Sequence, residues 1–436
     1  MNILQKLLYV RRLHHQFYRW NRKKLEVHQN KRIKKIIEFA RKNSNYYNQI
    51  LNDKKEICLL DIPVLNKEKM MTNFNQINTA GLDKDRLIEY YLLQEQNSNY
   101  TKFQREFSIG LSSGTSGNKS LTILSQKESD LYNCLLFSRN GIPQKIKNKR
   151  ILFALRRYNP TFMEVQSFGV KLCYIDYTLS SNQMLELINK KRLNILAGPP
   201  SLLEILARYK EDIHHEIEAI ISYAEVLADS LKKKLEDTFQ VPIIQIYQGA
   251  EGFIASTCKH GNLHLNEDVL YFEFIDLEDK IGQAKNIIIT DLYRTTQPIL
   301  RYQMNDILEI SPDQCTCGSC FRVISKIHGR SDDVFHLLDK EGKIKFLFPD
   351  YIRRSINQAS EKIIEYQAIQ ISPSNIEIRL VLSDEINKVE IQQKILANLV
   401  KWADKLEAII GQVEFSEKLP EINPISKKLI RVQRRF

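Results

Sequence analysis

A run of small and hydroxyl-bearing residues at positions 111–121, LSSGTSGNKSL, has the composition of a phosphate-binding loop. Glycines allow the unusual dihedral angles that turn backbone N–H groups inward, and serine or threonine hydroxyls can bond phosphate oxygens. The run is not the P-loop of kinases and ATPases, because no Gly-Lys-Ser/Thr sequence closes it and Asn118 stands at the second glycine position. Considered alone, the run is better explained as an exposed surface loop.

Four later segments carry the side chains that would complete a nucleotide site. Tyr247 ends a β-like segment and could lie against a purine ring, and Glu251 follows four residues later as a ligand for a divalent cation. Asp306 is suited to accept hydrogen bonds from ribose hydroxyls. GRSDDVF at 329–335 lies where the sequence pattern changes, as a hinge would, and ISKKLIRV at 425–432 places lysines near the C-terminus. Their order along the chain favours the phosphate-loop interpretation.

Cysteines and histidines form a second group of reactive side chains. Three thiols lie within six residues, and one further cysteine and two histidines lie upstream: Cys315, Cys317 and Cys320, and Cys258, His260 and His264. A close pair of thiolates with a distant Cys/His pair suits tetrahedral zinc, and the alternative is a set of ordinary core residues. We expect the other three cysteines, Cys58, Cys134 and Cys173, to be buried apolar residues.

The composition is that of a folded protein with two domains. At 436 residues, 43% hydrophobic and 27% charged, the chain suits one large domain and one smaller domain. It has no apolar run of roughly 18 residues that would cross a bilayer. The opening MNILQKLLYV is interrupted too early by Arg11 and Arg12 for a signal peptide, and seven cysteines argue against a disulfide scaffold. We therefore expect a cytoplasmic protein.

The net charge of +12 is concentrated in one arm, because residues 1–43 contain thirteen Lys/Arg and two Glu. Leu7, Leu8, Leu13, Phe17 and Trp20 recur there at approximately helical spacing. Residues 1–24 could contact an anionic membrane or an acidic partner such as a carrier protein. The simpler interpretation is an amphipathic helix packed on the body with a solvated basic face. Nucleic-acid binding is not expected, because no recognition motif accompanies the charge.

The elements between these residues alternate between strands and helices. Strands are predicted at 150–155, 193–198, 217–222 and 242–247, and helices at 183–192, 200–210 and 228–239. This alternation predicts an α/β fold with mostly parallel sheets covered by helices. Shorter β-like runs follow residue 262, and the pattern after 331 is that of a small α+β unit.

In these motifs the chain resembles the adenylate-forming superfamily of acyl-CoA synthetases and adenylation domains. It is most similar to the phenylacetate–coenzyme A ligase-like branch and to the deazaflavin-coenzyme synthetase-related proteins within it. NSNYYNQIL at 43–51, DIPVLNKEKM at 61–70, GPPSLLEILA at 198–207 and YAEVL at 223–227 add to the likeness, which covers nearly the whole chain. The resemblance implies a large domain over 1–330 and a small mobile lid over 331–436. The large domain would include the basic helical arm, 1–43, and a zinc-bearing β subdomain, 258–320.

The resemblance also implies a role for each motif residue. The loop that wraps the β- and γ-phosphates of ATP would consist of Ser112, Ser113, Gly114, Thr115, Ser116 and Gly117. Tyr247 would stack on adenine, Glu251 would bind Mg²⁺, and Asp306 would bind ribose with help from Arg330. Asp332 would be the hinge and Lys428 the catalytic lysine, with Lys427 as the alternative.

The chain departs from the family pattern in three places. Ala250 replaces a threonine, Asn118-Lys119 replaces a Pro-Lys pair, and Lys427 replaces the glycine before the lysine. For zinc, the branch carries a similar Cys-x-Cys-Gly element with an upstream Cys and Gly-x-His. The implied ligands are therefore Cys258, His264, Cys315 and Cys317, with Cys320 or His260 as substitutes.

The implied activity is ATP- and Mg²⁺-dependent conversion of a carboxylic acid into an acyl-AMP with release of pyrophosphate. The acyl group would then pass to coenzyme A, a carrier protein or an amine, or an N-acyl amino acid would cyclise. Aromatic side chains suggest an aryl or fatty acyl substrate: Tyr158, Phe162, Phe168 and Phe253. Two alternatives are a degenerate ATP-binding regulatory module without turnover and a basic, zinc-bearing interaction protein.

Overall fold

The computed structural model describes most of the chain. The described residues are 1–52, 54, 56–97, 101–111, 120–139, 146, 148–154, 169–175, 179–277, 283–383, 387–423 and 429–436. The predicted phosphate loop at 112–117 lies outside them, as do Lys427, Lys428 and the aromatic residues Tyr158, Phe162 and Phe168. None of the described helices is long and apolar enough to cross a membrane.

The N-terminal arm consists of two helices followed by a short third one. They are α1 (Ile3–Arg19), α2 (Arg22–Asn43) and α3 (Asn45–Leu51). The side chains of Asn2 and Asn21 cap the first two helices by accepting hydrogen bonds from backbone N–H groups. The extended backbone of Ser44 ends α2, and its hydroxyl caps α3.

A helical and hairpin region connects the arm to the large sheet. Its elements are α4 (Lys67–Thr72), α5 (Phe74–Ile77), α6 (Lys84–Asn97), β1 (Ser108–Leu111), β2 (Leu121–Leu124) and α7 (Gln126–Ser138). β1 and β2 are antiparallel, and Leu111 pairs with Leu121. The two described ends of the predicted phosphate loop are therefore adjacent.

The predicted strand–helix alternation forms the parallel half of the large sheet. Its elements are β3 (Arg150–Ala154), β4 (Lys171–Ile175), α8 (Ser181–Lys191), β5 (Ile195–Gly198), α9 (Pro200–Arg208), β6 (Ala219–Ser222), α10 (Asp229–Phe239) and β7 (Ile243–Gly249). The strands are parallel in the order β4-β3-β5-β6-β7. Separate apolar cores form on this half of the sheet, as expected for parallel strands covered on both faces.

The same sheet continues from β7 with antiparallel strands. They are β8 (Gly252–Thr257), β9 (Leu263–Leu265), β10 (Leu270–Asp276), β11 (Ala284–Asp291), β12 (Tyr302–Ile310) and β13 (Val323–Arg330). Their order from β7 is β8-β9-β13-β12-β11-β10, which gives a mixed sheet of eleven described strands. The expected α/β class is confirmed, and the β-rich stretch after residue 262 extends the large sheet.

The C-terminal residues form two smaller sheets around their own apolar core. The elements are β14 (Phe335–Asp339), β15 (Ile344–Leu347), α11 (Pro349–Asn357), β16 (Ile363–Ser372), β17 (Asn375–Leu382), α12 (Lys388–Lys405), β18 (Ala408–Ile409), β19 (Gln412–Ser416) and β20 (Val432–Arg434). The sheet orders are β15-β14-β18 and β19-β17-β16-β20.

The predicted hinge segment connects β13 to these sheets. Gly329 has a φ of +115°, and a Cβ atom there would lie 3.0 Å from Pro349. Only glycine accommodates both conditions without strain. A single 3₁₀ turn, Ser331–Asp333, follows and contains Asp332. The domain boundary at 330/331 remains a prediction.

Candidate functional site

Glu251 lies in the tight turn between β7 and β8, next to the base of the β1–β2 hairpin. The side chain of the buried Tyr302, at the start of β12, interacts with those of Glu251 and Ser120. Burial raises the pKa of Tyr302, so its hydroxyl stays protonated and can donate to a carboxylate. Ser120 lies three residues after Gly117, the last residue of the predicted phosphate loop, and the structure thus brings the chain close to that loop to the predicted Mg²⁺ ligand.

The backbone of the Glu251 turn is held by two further side chains. The carbonyl oxygen of Ala250 accepts a hydrogen bond from Thr122 on β2 at 3.2 Å and one from Arg294 at 2.9 Å. Arg294 is buried and also donates to Gln297 at 2.6 Å. The turn that presents Glu251 is therefore fixed to the hairpin and to the loop between β11 and β12. The sequence did not predict Arg294 and Thr122, because both contribute by hydrogen-bonding the backbone carbonyl of Ala250.

Tyr247 and Asp306 are direct partners across the sheet. The Tyr247 hydroxyl donates a hydrogen bond to Oδ2 of Asp306 at 2.6 Å. Burial raises the pKa of Asp306, although Tyr247 and the charge of Arg330 both act to lower it. Burial likewise raises the pKa of Tyr247, as do the nearby carboxylates of Asp306 and Glu251. The residue predicted to stack on adenine thus also contacts the residue predicted to bind ribose.

Arg330 and Asp332 lie at the same end of the sheet as Asp306. Asp306 on β12 is the register partner of Arg330 on β13. Asn305, the residue before Asp306, donates a hydrogen bond to Oδ2 of Asp332 at 2.8 Å. The predicted ribose residues and the predicted hinge are thus adjacent.

Lys67 is a member of this site that sequence reasoning missed. It is the first residue of α4, and Asn66 caps that helix. The preceding segment is fixed to β12, because Leu65 donates to the carbonyl of Arg301 and accepts from the N–H of Gln303. Burial and the charge of Arg330 lower the pKa of Lys67, and Glu251 and Asp332 are its nearby carboxylates. The structure therefore places a lysine among Glu251, Arg330 and Asp332.

The C-terminal tail reaches the edge of this region. Arg431, three residues after Lys428, binds Glu365 at 2.8 Å and lies 3.9 Å from the carboxylate of Glu225. Glu225 belongs to the turn after β6, which resembles the adenine-side turn of adenylate-forming enzymes. Ala224 beside it has a φ of +67°. Lys427 and Lys428 themselves lie outside the described residues.

The structure brings together the four residues predicted as zinc ligands. The ligand atoms of Cys258, His264, Cys315 and Cys317 all lie within 4.8 Å of one another. The Sγ atoms of Cys258 and Cys315 are 3.8 Å apart, and Sγ of Cys317 is 3.6 Å from Nε2 of His264. Three thiols and one imidazole in this geometry fit a tetrahedral metal centre. The two predicted substitutes, Cys320 and His260, are not members of the group.

Neighbouring groups orient the predicted ligands. Nδ1 of His264 is 2.9 Å from the carbonyl oxygen of Phe321, which leaves Nε2 facing the thiols. Backbone N–H groups of His260 and Ser319 donate to Cys258 and Cys317. Elsewhere, Cys134 and Cys173 are buried as expected, whereas Cys58 is exposed because it caps the surface turn Leu59–Asp61.

The metal-ligand group lies against the N-terminal arm. Phe17 of α1 packs edge-on against His264 and Phe321, with ring centroids 5.4 and 5.1 Å away. Arg139, fully buried, donates to the carbonyl of Leu13 and pairs with Asp268. On α1, Leu13 and Phe17 are buried, but Leu7 and Leu8 are exposed. The simpler prediction of a helix packed on the body describes α1 except for its first two turns.

Comparison with known proteins gives three related sequences. Protein CapK of Staphylococcus aureus is 24% identical over 392 residues, covering 84% of this chain and 80% of that protein. Indoleacetate–lysine synthetase of Pseudomonas savastanoi is 29% identical over 226 residues, covering 48% and 55%. Phenylacetate–coenzyme A ligase of Thermus thermophilus is 22% identical over 256 residues, covering 55% and 56%. No protein-family model matches the chain.

Solved structures share the fold over most of the chain. A 2-hydroxyisobutyryl-CoA ligase with a bound acyl-AMP superposes with a TM-score of 0.68, covering 92% of this chain and 88% of the ligase at 13% identity. An anthranilate–CoA ligase with anthranoyl-AMP gives a TM-score of 0.50 over 72% of this chain and 64% of the ligase at 16% identity. At these identities the similarity establishes the fold.

Proposed function

We propose that this chain, a relative of phenylacetate–coenzyme A ligase and indoleacetate–lysine synthetase with the fold of adenylate-forming ligases, activates a carboxylic acid with ATP. The carboxylate would attack the α-phosphorus of ATP, forming an acyl-AMP and releasing pyrophosphate. AMP is a good leaving group, which an unactivated carboxylate lacks. The reaction needs no covalent protein nucleophile, in keeping with a site built from acids, amides and cations.

One observation carries the proposal: the separate motifs meet at one end of the large sheet. Tyr302 interacts with both Glu251 and Ser120, and Tyr247 donates a hydrogen bond to Asp306, which is paired in register with Arg330. These residues are spread between positions 120 and 330, and their spacing along the chain does not require them to meet. A polyanionic nucleotide binding across them would contact the chain next to the predicted phosphate loop, two carboxylates and one cation together.

The obstacle to the reaction is electrostatic, because an anion must approach a polyanion. Lys67 and Arg330 supply positive charge beside Glu251 and Asp306. Mg²⁺, held by Glu251, would neutralise charge on the phosphates. Asp306 would fix the ribose through its hydroxyls. Lys428 would approach from the C-terminal tail, whose nearest described residues include Arg431 beside Glu225.

Zinc is the metal that best suits Cys258, His264, Cys315 and Cys317. Cys₃His sets with all four positions supplied by protein are typical of structural zinc. The group joins the loop after β8 and the start of β9 to the connection between β12 and β13. We therefore assign it a structural role and no part in the transfer chemistry.

The acceptor of the acyl group can be a thiol, an amine or the substrate itself. The related proteins named above include a ligase for coenzyme A and a synthetase for lysine, so both acceptor classes belong in the test. Capture by a carrier protein and cyclisation of an N-acyl amino acid are the other two alternatives. A cytoplasmic location remains a prediction from composition.

The deciding experiment is ATP–pyrophosphate exchange with a panel of carboxylic acids. Arylacetates, benzoates, fatty acids and N-acyl amino acids should be supplied singly, with and without Mg²⁺. We expect exchange with one acid class that depends on Mg²⁺, and a fall of 100-fold or more in Glu251→Gln and Lys428→Ala. Mass spectrometry of the product with coenzyme A, lysine or no acceptor then identifies the second step.

The main alternative is an ATP-binding module without turnover, favoured by Ala250 in place of the usual threonine. It predicts that ATP with Mg²⁺ raises the melting temperature but that no acid in the panel supports exchange. The same two measurements therefore distinguish the proposals. Absence of both ATP binding and exchange would exclude both.

A further inference from the structure

The first two turns of α1 carry an apolar surface that the fold leaves uncovered. Ile3, Leu4, Leu7 and Leu8 expose 61%, 64%, 50% and 57% of their surface. Side chains at positions 4, 7, 8 and 11 of a helix share one face. The opposite face packs on the body through Lys6, which pairs with Asp130, and through Leu13 and Phe17. We call Ile3, Leu4, Leu7 and Leu8 the α1 tip.

Positive charge continues along the exposed side of the arm beyond the α1 tip. Arg11, Arg12 and Arg19 are exposed on α1, and Lys23 and Lys24 are exposed on α2. The sequence of α1 contains no aspartate or glutamate. The exposed side of the arm thus combines a group of aliphatic side chains with a predominantly cationic continuation.

We propose that the α1 tip inserts into the surface of an anionic phospholipid bilayer, with the arginines that follow it at the level of the lipid phosphates. A convex helix face with aliphatic residues beside cations is the arrangement that binds membrane interfaces. Anionic headgroups complement a segment of 43 residues that carries thirteen cationic and two anionic side chains. The helix lies on the bilayer and does not span it.

The charge also argues against a second copy of this chain as the occupant. A symmetric dimer would place the same surface of each copy face to face. Two segments with thirteen Lys/Arg and two Glu each would then repel one another. The bilayer has the opposite charge and an apolar interior that accepts aliphatic side chains.

Co-sedimentation of the purified full chain with vesicles tests the inference. Vesicles of phosphatidylcholine and phosphatidylglycerol at a 7:3 ratio should bind the protein at least ten-fold more tightly than pure phosphatidylcholine. The variant Leu4→Gln/Leu8→Gln should lose at least ten-fold of this binding. Because both side chains are exposed, its melting temperature should equal that of the wild type. The control Val389→Gln/Leu419→Gln alters two equally exposed aliphatic positions on other elements and should bind normally.

Insertion itself can be followed with Leu7→Trp. Its fluorescence emission should shift to shorter wavelength with anionic vesicles, whereas the wild type, with Trp20 and Trp402, should shift less. The inference would be overturned if the wild-type protein did not bind anionic vesicles in 100 mM salt. It would also be overturned if the Leu4/Leu8 variant bound them as tightly as the wild type. If the wild type instead formed a concentration-dependent dimer and did not bind vesicles, and if the same variant abolished that dimer, the α1 tip would be assigned to contact with a second copy. These outcomes do not depend on pyrophosphate exchange.

Discussion

Tyr247 donates its phenolic hydrogen to Oδ2 of Asp306 at 2.6 Å, and so joins the residues expected to hold the adenine and the ribose of ATP. The hydrogen bond fixes the tilt of the tyrosine ring relative to the carboxylate. It also provides a donor to a carboxylate that is mostly removed from water, where an unpaired charge is costly. The residue predicted to contact adenine and the residue predicted to contact ribose are therefore joined directly to each other.

The Tyr247→Phe variant should show a changed pH dependence of pyrophosphate exchange. Asp306 must be ionised to accept ribose hydroxyls, so activity should fall as pH drops through its raised pKa. The Tyr247 hydrogen bond lowers that pKa, and its removal should move the acid limb to higher pH. Tyr46→Phe, outside the site, is the control. An unmoved acid limb would show that this carboxylate does not govern the rate.

Replacing Lys67 with methionine should slow adenylation without unfolding the protein. Methionine keeps the length of the side chain but removes the charge beside Glu251 and Asp332. We expect exchange to fall about 10- to 100-fold, the usual effect of losing one electrostatic contact to a transition state. Lys69→Met on the same helix, at an exposed position, should retain wild-type exchange. Equal losses in both variants would point to a general effect of charge on α4.

Cys317→Ser should remove a bound metal ion that Cys320→Ser leaves in place. We expect about one zinc per wild-type chain by elemental analysis, because three thiols and His264 Nε2 fill a tetrahedron. Loss of the ion should lower the melting temperature by about 5 °C or more. Cys320, three residues away in sequence, is the matched control because it lies outside the ligand group. Equal zinc content in both variants would contradict the assignment.

The partly buried carboxyl of Asp291 should make stability depend on pH. Burial raises its pKa to about 6, so between pH 4 and 6 the folded state binds the proton more tightly than the unfolded state. Wild-type stability relative to Asp291→Asn should therefore increase as pH falls from 7.5 to 5, by at most about 1.4 kcal/mol per unit. Urea unfolding of both proteins at the two pH values measures this difference. A constant difference would mean that Asp291 does not titrate there.

The parts of the site that depend on local pattern were predictable. Strand–helix alternation gave the parallel half of the sheet, and the spacing of thiols and histidines, with the family resemblance, gave Cys258, His264, Cys315 and Cys317 as one group. The role of each nucleotide-site residue remains a prediction. Lys67 was not predictable, because it reaches the site through backbone pairing of Leu65 with β12, 237 positions away.

The arm was predicted only in part, and the reason is geometric. Leu7 and Leu8 were grouped with Leu13 and Phe17 as one apolar stripe. Leu7 and Leu13 are six residues apart, which places them about 120° apart around a helix with 3.6 residues per turn. The structure accordingly buries Leu13 and exposes Leu7. Assigning each residue its angle around the helix would have separated the exposed face of α1 from the buried one.

Phe17 contacts both His264 and Phe321, so α1 packs partly against a predicted zinc ligand. Removing the ion with a chelator would release the loops that position His264 and Phe321 against α1. The bend at Trp20 and Asn21 should then be among the first peptide bonds that a protease cuts. Metal supply would in this way govern how firmly the chain holds the helix that we propose binds a bilayer.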